Sequence, residues 1–360
     1  MQPTLSTNAV RQTKRKSSRQ SSRKSAVATV ADVARLAQVS SATVSRALNQ
    51  PGVVRAEARA RIEAAIVALG YVPDAGARAL STKRSGTIGA VIPTIDNAIF
   101  AKGIAALQKY LDTQGYQLLV AVTEYDLQIE SRQALDLVAR GVDGLVFMGN
   151  SQLPSLTALL KRRSLPCVHV GVPSAVGGAP VVGFDNQSAA ARATRFIIDL
   201  GHREVAMLAG ITQDNDRARD RLGGVRQALK EARLSLPAHR VVEKPYNLAA
   251  AREGLRELLA HNPPPTAVLC GNDVLAFGAL MEAARQKIKV PRDLSIVGFD
   301  DLELARHLEP ALTTMHVPTE EMWRLGGERL LAMIRGEKVP AVTEVEVTLV
   351  VRESTARLRY

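Results

Sequence analysis

The strongest constraint on the fold lies from Thr87 onward, where runs of Val, Ile and Leu alternate with amphipathic segments. Seven runs are candidate strands: Ile88–Ile92, Gln117–Val122, Gly144–Met148, Cys167–Val170, Val205–Leu208, Ala267–Leu269 and Leu294–Phe299. Apolar residues recur at helical spacing in six intervening segments: Phe100–Thr113, Gln128–Arg140, Ser188–Leu200, Arg217–Ala232, Ala249–Ala260 and Asp273–Arg285. Continuously apolar strands separated by helices are typical of parallel sheets covered on both faces.

This alternation predicts an α/β body over residues 87–355. Its length favours two doubly wound subdomains with a ligand cleft between them. We expect the chain to cross between the subdomains near residues 184–187 and 312–316, and again near residue 342.

Residues 29–73 differ in character, because their short Ala, Val and Leu patterns indicate small helices separated by polar turns. Thr29 and Ser40 are suitable N-caps for two successive helices, since a hydroxyl there accepts a hydrogen bond from an unpaired amide. Val33 and Val44 fall on the inward faces of these helices. The spacing indicates a helix-turn-helix, although an ordinary helical hairpin has the same pattern.

The second of these helices has a small, polar exposed face. Its predicted solvent-facing residues are Ser41, Ala42, Ser45, Arg46 and Asn49. In a helix-turn-helix the second helix enters the major groove, where an arginine can read guanine bidentately or clamp a phosphate.

The net charge of +12 is concentrated at one end of the chain. Residues 1–28 hold seven Lys or Arg and no acid, and residues 29–84 hold eight against four acids. The first 84 residues therefore carry +11 of the total, as suits a polyanion-binding module attached to an electrically ordinary body. Residues 1–28 also lack aromatic residues and are predicted to be a disordered basic tail.

Three headpiece motifs resemble those of the lactose-repressor/galactose-repressor family. These are D-V-A at residues 32–34, T-V-S-R-A-L-N at residues 43–49 and L-G-Y-V-P at residues 69–73, in that order. The resemblance implies a three-helix headpiece followed by a periplasmic-binding-protein-like body. It also implies a ligand-responsive transcriptional regulator, most simply a repressor, that acts as a homodimer on a palindromic operator in double-stranded DNA.

The resemblance further implies which residues contact DNA. Ser41 and Ala42 match the main base-reading positions, with Arg46 contacting a further base or the backbone. Residues 74–86 match a hinge or linker, in which Leu80 would wedge between base pairs in the minor groove beside the small Ala77. The full predicted DNA-binding set is Thr29, Ser41, Ala42, Thr43, Ser45, Arg46, Asn49, Ala77 and Leu80.

Polar residues that follow the strands of the body predict an effector site. The predicted contacts are Asp96, Phe100, Arg217, Arg221, Asn272 and Asp300, of which the resemblance places Arg221, Asn272 and Asp300 at effector-contacting positions. Arg217 and Arg221 lie one helical turn apart, and such a pair favours an anion. The expected effector is therefore a sugar or a sugar acid, with gluconate-type acids favoured. The alternative is that Arg217 and Arg219 are solvated or paired with Asp214, Asp216 and Asp220.

The remaining residues indicate no catalysis. The six His are scattered, and no metal-ligand spacing, nucleophile constellation or cofactor motif is present, so neither an enzyme nor a cofactor is expected. Cys167 and Cys270 fit buried free thiols in a reducing compartment. No stretch approaches 18 apolar residues, so a cytoplasmic protein without membrane contact is predicted. A sugar-binding protein without a DNA role is the alternative function.

The basic tail generates a prediction for DNA binding. Deleting residues 1–26 removes all seven of its bases. Because each neutralised phosphate contributes roughly −0.9 to the slope of log affinity against log salt, the slope should become shallower. Filter-binding or anisotropy titrations at several salt concentrations measure it, and an identical slope in both proteins would contradict a DNA role for the tail.

Overall fold

The computed structural model describes residues 28–73, 84–174 and 177–358, which divide into two units, a headpiece and a body. Most of the predicted basic tail and residues 74–83 of the predicted hinge, with Ala77 and Leu80, lie outside the described residues.

The headpiece contains three helices: α1 (Val30–Ala37), α2 (Ser41–Asn49) and α3 (Ala56–Leu69). Thr29 and Ser40 are the N-caps of α1 and α2, as their hydroxyl groups predict. Gln38 ends α1 in the left-handed conformation (φ 53°), which turns the chain sharply toward α2. Val33, Val44 and Ile62, one from each helix, are at most 1% exposed and form the centre of a small core.

The described body contains two six-stranded sheets. Their strands are β1 (Thr87–Ile92), β2 (Gln117–Val122), β3 (Gly144–Met148), β4 (Cys167–Val170), β5 (Val181–Gly183), β6 (Val205–Gly210), β7 (Val241–Lys244), β8 (Ala267–Cys270), β9 (Ser295–Asp300), β10 (Thr313–His316), β11 (Val342–Glu344) and β12 (Thr348–Val350). The first sheet has the order β11-β5-β4-β3-β1-β2 and the second β12-β10-β9-β8-β6-β7. Neighbouring strands are parallel except β10 and β12.

Helices connect many of these strands, in most cases two parallel strands of one sheet. They are α4 (Ala98–Thr113), α5 (Leu127–Ala139), α6 (Pro154–Arg162), α7 (Asn186–Asp199), α8 (Asp216–Glu231), α9 (Leu248–Leu259), α10 (Asp273–Arg285) and α11 (Thr319–Ile334). We call the first sheet with α4–α6 and α11 the first lobe, and the second sheet with α7–α10 the second lobe. The predicted α/β class, with a helix-turn-helix headpiece and a two-lobed body, is confirmed.

The chain passes between the two lobes three times. It leaves β5 for α7 through residues 184–185, returns from β10 to α11 through residues 317–318, and passes from β11 to β12 through residues 345–347. Residues 313–316 themselves form β10 of the second sheet.

Trp323 is the centre of packing between α4 and α11. Its side chain is fully buried in the first lobe. A Cβ added at Gly103 of α4 would lie 2.2 Å from the Cδ1 atom of Trp323. Glycine at this position therefore lets the indole lie directly against the backbone of α4.

We expect Gly103→Ala to destabilise the body by about 1–3 kcal/mol, because overpacking of a filled core costs energy of that order. Gly223→Ala is the matched control, since its Cβ would meet nothing closer than 3.6 Å and alanine favours a helix. Urea unfolding of the two variants measures the difference. Equal unfolding midpoints would contradict this account of the packing.

Candidate functional site

The exposed face of α2 presents the residues predicted to read DNA. Ser41, Ala42, Ser45 and Arg46 are exposed, whereas Thr43 and Asn49 are partly buried. The Ser40 Oγ accepts a hydrogen bond from the Thr43 amide at 3.1 Å, which fixes the start of the helix.

Arg46 is available for an external anion. Among the described residues no carboxylate pairs with it, whereas Arg35 lies 3.1 Å from Asp32 and Arg59 lies 3.7 Å from Glu63. Thr29 is exposed, but its Oγ1 donates to Asp32 at 2.7 Å in a capping box. The Thr29 hydroxyl is therefore already used in capping α1, and any contact of Thr29 with DNA would be made in addition to that hydrogen bond.

The cleft of the body lies where the carboxyl ends of both parallel sheets face each other. The loop after β2 supplies Tyr125 and the loop after β7 supplies Tyr246, whose ring centroids are 5.9 Å apart. Burial raises the pKa of both phenols, so the two rings meet as neutral groups. The rings bring the two lobes into contact across the cleft.

Two cavities occupy this cleft. An inner pocket of about 30 Å³, with room for roughly two water molecules, lies beside Arg221. An outer cavity of about 810 Å³ forms the mouth and is lined from both lobes. The inner pocket is lined by Asn97, Ile99, Phe100, Tyr125, Met148, Asn215, Arg217, Arg221, Tyr246, Asn272 and Asp300.

The structure brings five of the six predicted effector residues to the inner pocket: Phe100, Arg217, Arg221, Asn272 and Asp300. Asp96 is exposed and lines the outer cavity instead. The next residue, Asn97, is buried and reaches the inner pocket, because it is the N-cap at which α4 begins.

Arg221 of α8 is the most constrained cation in the cleft. Its Nε donates to Asn186 Oδ1 at 2.9 Å and its Nη1 to the Gly271 carbonyl at 2.7 Å. Its Nη2 lies 3.5 Å from Asp300 Oδ1, and its Cζ stands 3.7 Å from the centroid of the Phe299 ring. The guanidinium plane is thereby fixed, with N–H groups left over to donate into the pocket.

Asp300 supplies a buried acceptor opposite this arginine. Burial raises its pKa to about 6, and Arg221 only partly offsets that effect. Asp300 has a φ of 115°, an unusual conformation for a residue other than glycine. The adjacent Asp301 faces elsewhere, pairing with Arg352 at 2.6 Å and His316 at 3.0 Å.

Three asparagines give the pocket a common kind of donor. Asn97, Asn215 and Asn272 are the N-caps of α4, α8 and α10, and the Oδ1 of each accepts a backbone N–H of its helix. The amide groups of Asn97 and Asn272 are left as donors beside two helix N-termini, while Asn215 Nδ2 donates one N–H to the Tyr246 hydroxyl at 3.5 Å. Of the three, only Asn272 was among the predicted effector contacts, although the strand–Asn–helix pattern is present at all three positions.

Arg217 is paired with its neighbour. Its Nη1 donates to Asp216 Oδ1 at 2.7 Å, and both side chains are largely buried. Arg219 instead donates to the Thr212 carbonyl at 2.9 Å and to Ser151 Oγ at 3.1 Å. Arg217 is therefore paired with an adjacent acid, Asp216, as the alternative prediction for this residue had it.

Glu130 is a buried carboxyl behind the pocket. It was not among the predicted site residues. Burial raises its pKa to about 7, and its Oε1 has no hydrogen-bond partner. Its position at the start of the amphipathic α5 gave no sign of this environment, because most of the residues around it come from the loops after β1, β2, β3 and β6.

Within the described ranges, no group of three or more His, Cys, Asp or Glu could hold a metal ion. None of the described helices is long and apolar enough to cross a membrane. Cys167 and Cys270 are buried and free, and burial raises the pKa of both thiols.

A helix-turn-helix unit joined to a two-lobed body with a polar cleft defines a class of protein, the ligand-responsive DNA-binding regulators. Residues 29–74 match the family described as bacterial regulatory proteins, lacI family, and residues 194–355 match a periplasmic binding protein-like domain.

Full-length relatives agree with these matches. The chain is 35% identical over 335 residues to the ribose operon repressor of Haemophilus influenzae, covering 92% of this chain and all of that protein. It is 33% identical over 333 residues to the transcriptional repressor CytR of Escherichia coli, covering 92% and 97%. The solved lac repressor dimer bound to operator and the anti-inducer ONPF aligns with a TM-score of 0.81 and 27% identity, covering 92% and 99%.

The chain belongs to the lacI family of bacterial regulatory proteins, which confirms the resemblance of its headpiece motifs. It is a DNA-binding transcriptional regulator. The relatives are named as repressors and not as enzymes.

Arg46→Ala tests the DNA-reading surface. Loss of a bidentate guanine contact costs about 1–3 kcal/mol, so operator affinity should fall roughly tenfold or more while binding to random DNA changes less. An operator selected from random-sequence DNA supplies the ligand for anisotropy titrations.

Arg35→Ala is the matched control, because that arginine is already paired with Asp32. If the two variants bound the operator equally well, Arg46 would not be a base-reading residue.

Proposed function

We propose that this regulator acts as a repressor whose operator affinity is controlled by a small neutral sugar, of pentose size, held in the inner pocket of the cleft. The observation that carries the proposal is that each pocket arginine already has a carboxylate partner. Arg217 pairs with Asp216, and Arg221 lies beside Asp300. A ligand carboxylate would therefore meet two acids as well as two arginines.

The other pocket groups suit hydroxyl groups. Asp300 accepts hydrogen bonds, while Arg221 and the amide groups of Asn97, Asn215 and Asn272 donate them. Phe100 and Tyr246 add aromatic faces for the C–H side of a sugar ring. The Haemophilus influenzae relative is named as a ribose operon repressor, which supports a pentose as the first effector to test.

Binding of a pentose in this pocket requires the lobes to part, because the inner cavity has room for only roughly two water molecules. Effector binding thus acts on the spacing of the lobes, and we propose that this spacing controls how residues 74–86 present the headpiece to DNA. Such coupling is reciprocal, so the operator changes effector affinity by the same factor.

The edge of the first sheet supports a homodimer. Leu119 and Val120 on the edge strand β2 are 38% and 41% exposed. An apolar, unpaired edge strand is an association hazard unless a partner covers it, and a second copy is the partner that we propose. A DNA-bound regulator works in the cytoplasm, which is the location that we infer, and we infer binding without catalysis.

The test compares neutral sugars with their acids on the full-length protein. D-ribose and related neutral pentoses should raise the melting temperature and change operator affinity at millimolar concentration, whereas gluconate and ribonate should not. Asp300→Asn should weaken sugar binding roughly tenfold or more, because hydrogen bonds to a charged group contribute about 1.5–3 kcal/mol.

Asp301→Asn is the matched control, since Asp301 faces Arg352 and His316 instead of the pocket. If the protein bound gluconate in preference to every neutral sugar, the proposal that its effector is a neutral sugar would be wrong. Equal sugar affinity in the two variants would show that the pocket is misplaced.

A further inference from the structure

A second cavity lies within the first lobe, apart from the cleft. Its volume is about 370 Å³, and it is bounded by β3, β4, α6, the segment 177–179 and the end of α11. This volume is in the usual range of small-molecule sites. Its apolar walls are formed by Phe147, Leu160, Leu165, Cys167 and Met333.

Two polar side chains with buried atoms border this apolar space: Gln152, whose Oε1 and Nε2 have no hydrogen-bond partner among the described residues, and His169. His169 is only 6% exposed, and its ring stacks on Phe147 with centroids 5.4 Å apart. Its Nδ1 lies 2.8 Å from the Gly149 carbonyl, and since a carbonyl only accepts, Nδ1 carries the proton. Nε2 is then the remaining polar atom of the ring, and no described residue hydrogen-bonds to it.

The electrostatics favour an uncharged imidazole. Burial lowers the pKa of His169, so the ring is neutral near pH 7 and Nε2 holds an acceptor lone pair. Thr157 Oγ1 is already used, because it donates to the Leu153 carbonyl at 3.4 Å. Lys161 is exposed at the rim and keeps its ammonium group in water. The lone pair of Nε2 disfavours a ligand carboxylate at this point, and the apolar walls disfavour any buried ion.

We propose that this cavity is a second ligand site, for a small and mostly apolar molecule that carries one hydroxyl group, such as a phenol. The hydroxyl donates to Nε2 of His169, and the hydrocarbon part packs on Leu160, Leu165 and Met333. Such a ligand would donate a hydrogen bond to Nε2 of His169, and it would also bury apolar side chains of the cavity wall away from water.

The position of His169 links this site to the effector cleft through one residue. The His169 ring donates to the carbonyl of Gly149, and a Cβ added at Gly149 would lie 1.7 Å from Arg217 Nη1. The same Nη1 donates to the adjacent Met148 carbonyl at 3.2 Å. A ligand held by His169 would thus contact the ring that holds Gly149, the residue next to the Met148 carbonyl that accepts from Arg217. This link rests on the proposed function, whereas binding in the cavity does not.

Calorimetric titration of the full-length protein with phenol and with toluene tests the site. The two probes have similar shapes, but only phenol can donate to Nε2. His169→Phe keeps the aromatic stack and removes the acceptor. The preference for phenol over toluene should therefore fall roughly fivefold in this variant, the factor that corresponds to one hydrogen bond.

Two further variants locate the probe. Leu165→Trp fills the cavity at a partly exposed position and should abolish binding of both probes. Asp300→Asn alters the effector cleft and should leave phenol affinity unchanged. The proposal is overturned if phenol does not bind at millimolar concentration, if His169→Phe leaves the preference unchanged, or if Asp300→Asn and not Leu165→Trp removes binding.

Discussion

The buried contact of Arg221 with Asp300 is the interaction on which the effector cleft depends. The arginine also donates to Asn186 at 2.9 Å, and Asn186 donates through Nδ2 to the Gly171 carbonyl of the first lobe at 3.0 Å. One guanidinium therefore connects the second sheet, the first residue of α7 and the end of β4. Truncating either side chain would leave the other buried group without its partner, which is strongly destabilising, whereas the isosteric Asp300→Asn keeps an oxygen that accepts from Arg221.

The chain separates its two electrostatic tasks. The net positive charge lies in the first 84 residues, which include the DNA-binding headpiece, whereas the pocket cations of the body are matched by neighbouring acids. Long-range attraction to phosphate is therefore assigned to one unit and short-range hydrogen-bond recognition to the other. The two kinds of recognition do not interfere with each other, since the net charge of the body is close to zero.

Much of the architecture could be predicted from the sequence, because long apolar strands and N-capped helices leave local signals. The strands β5, β7, β10, β11 and β12 lacked such signals, since each has only three or four residues, of which at most two are apolar. In the cleft, Arg221, Asn272 and Asp300 could be predicted from their family positions. The sequence left two readings of Arg217 open, an anion-binding pair with Arg221 or pairing with a nearby acid, because spacing does not show which way the Asp216 side chain turns.

The three crossings between the lobes have a consequence for synthesis of the protein. The first lobe is completed by α11 and β11, which follow almost all of the second lobe in the chain. The second lobe in turn lacks its last strand until residues 348–350. A ribosome must therefore release nearly the whole polypeptide before either lobe is complete, so the two halves mature together instead of in succession, and the headpiece is the one unit that can fold early.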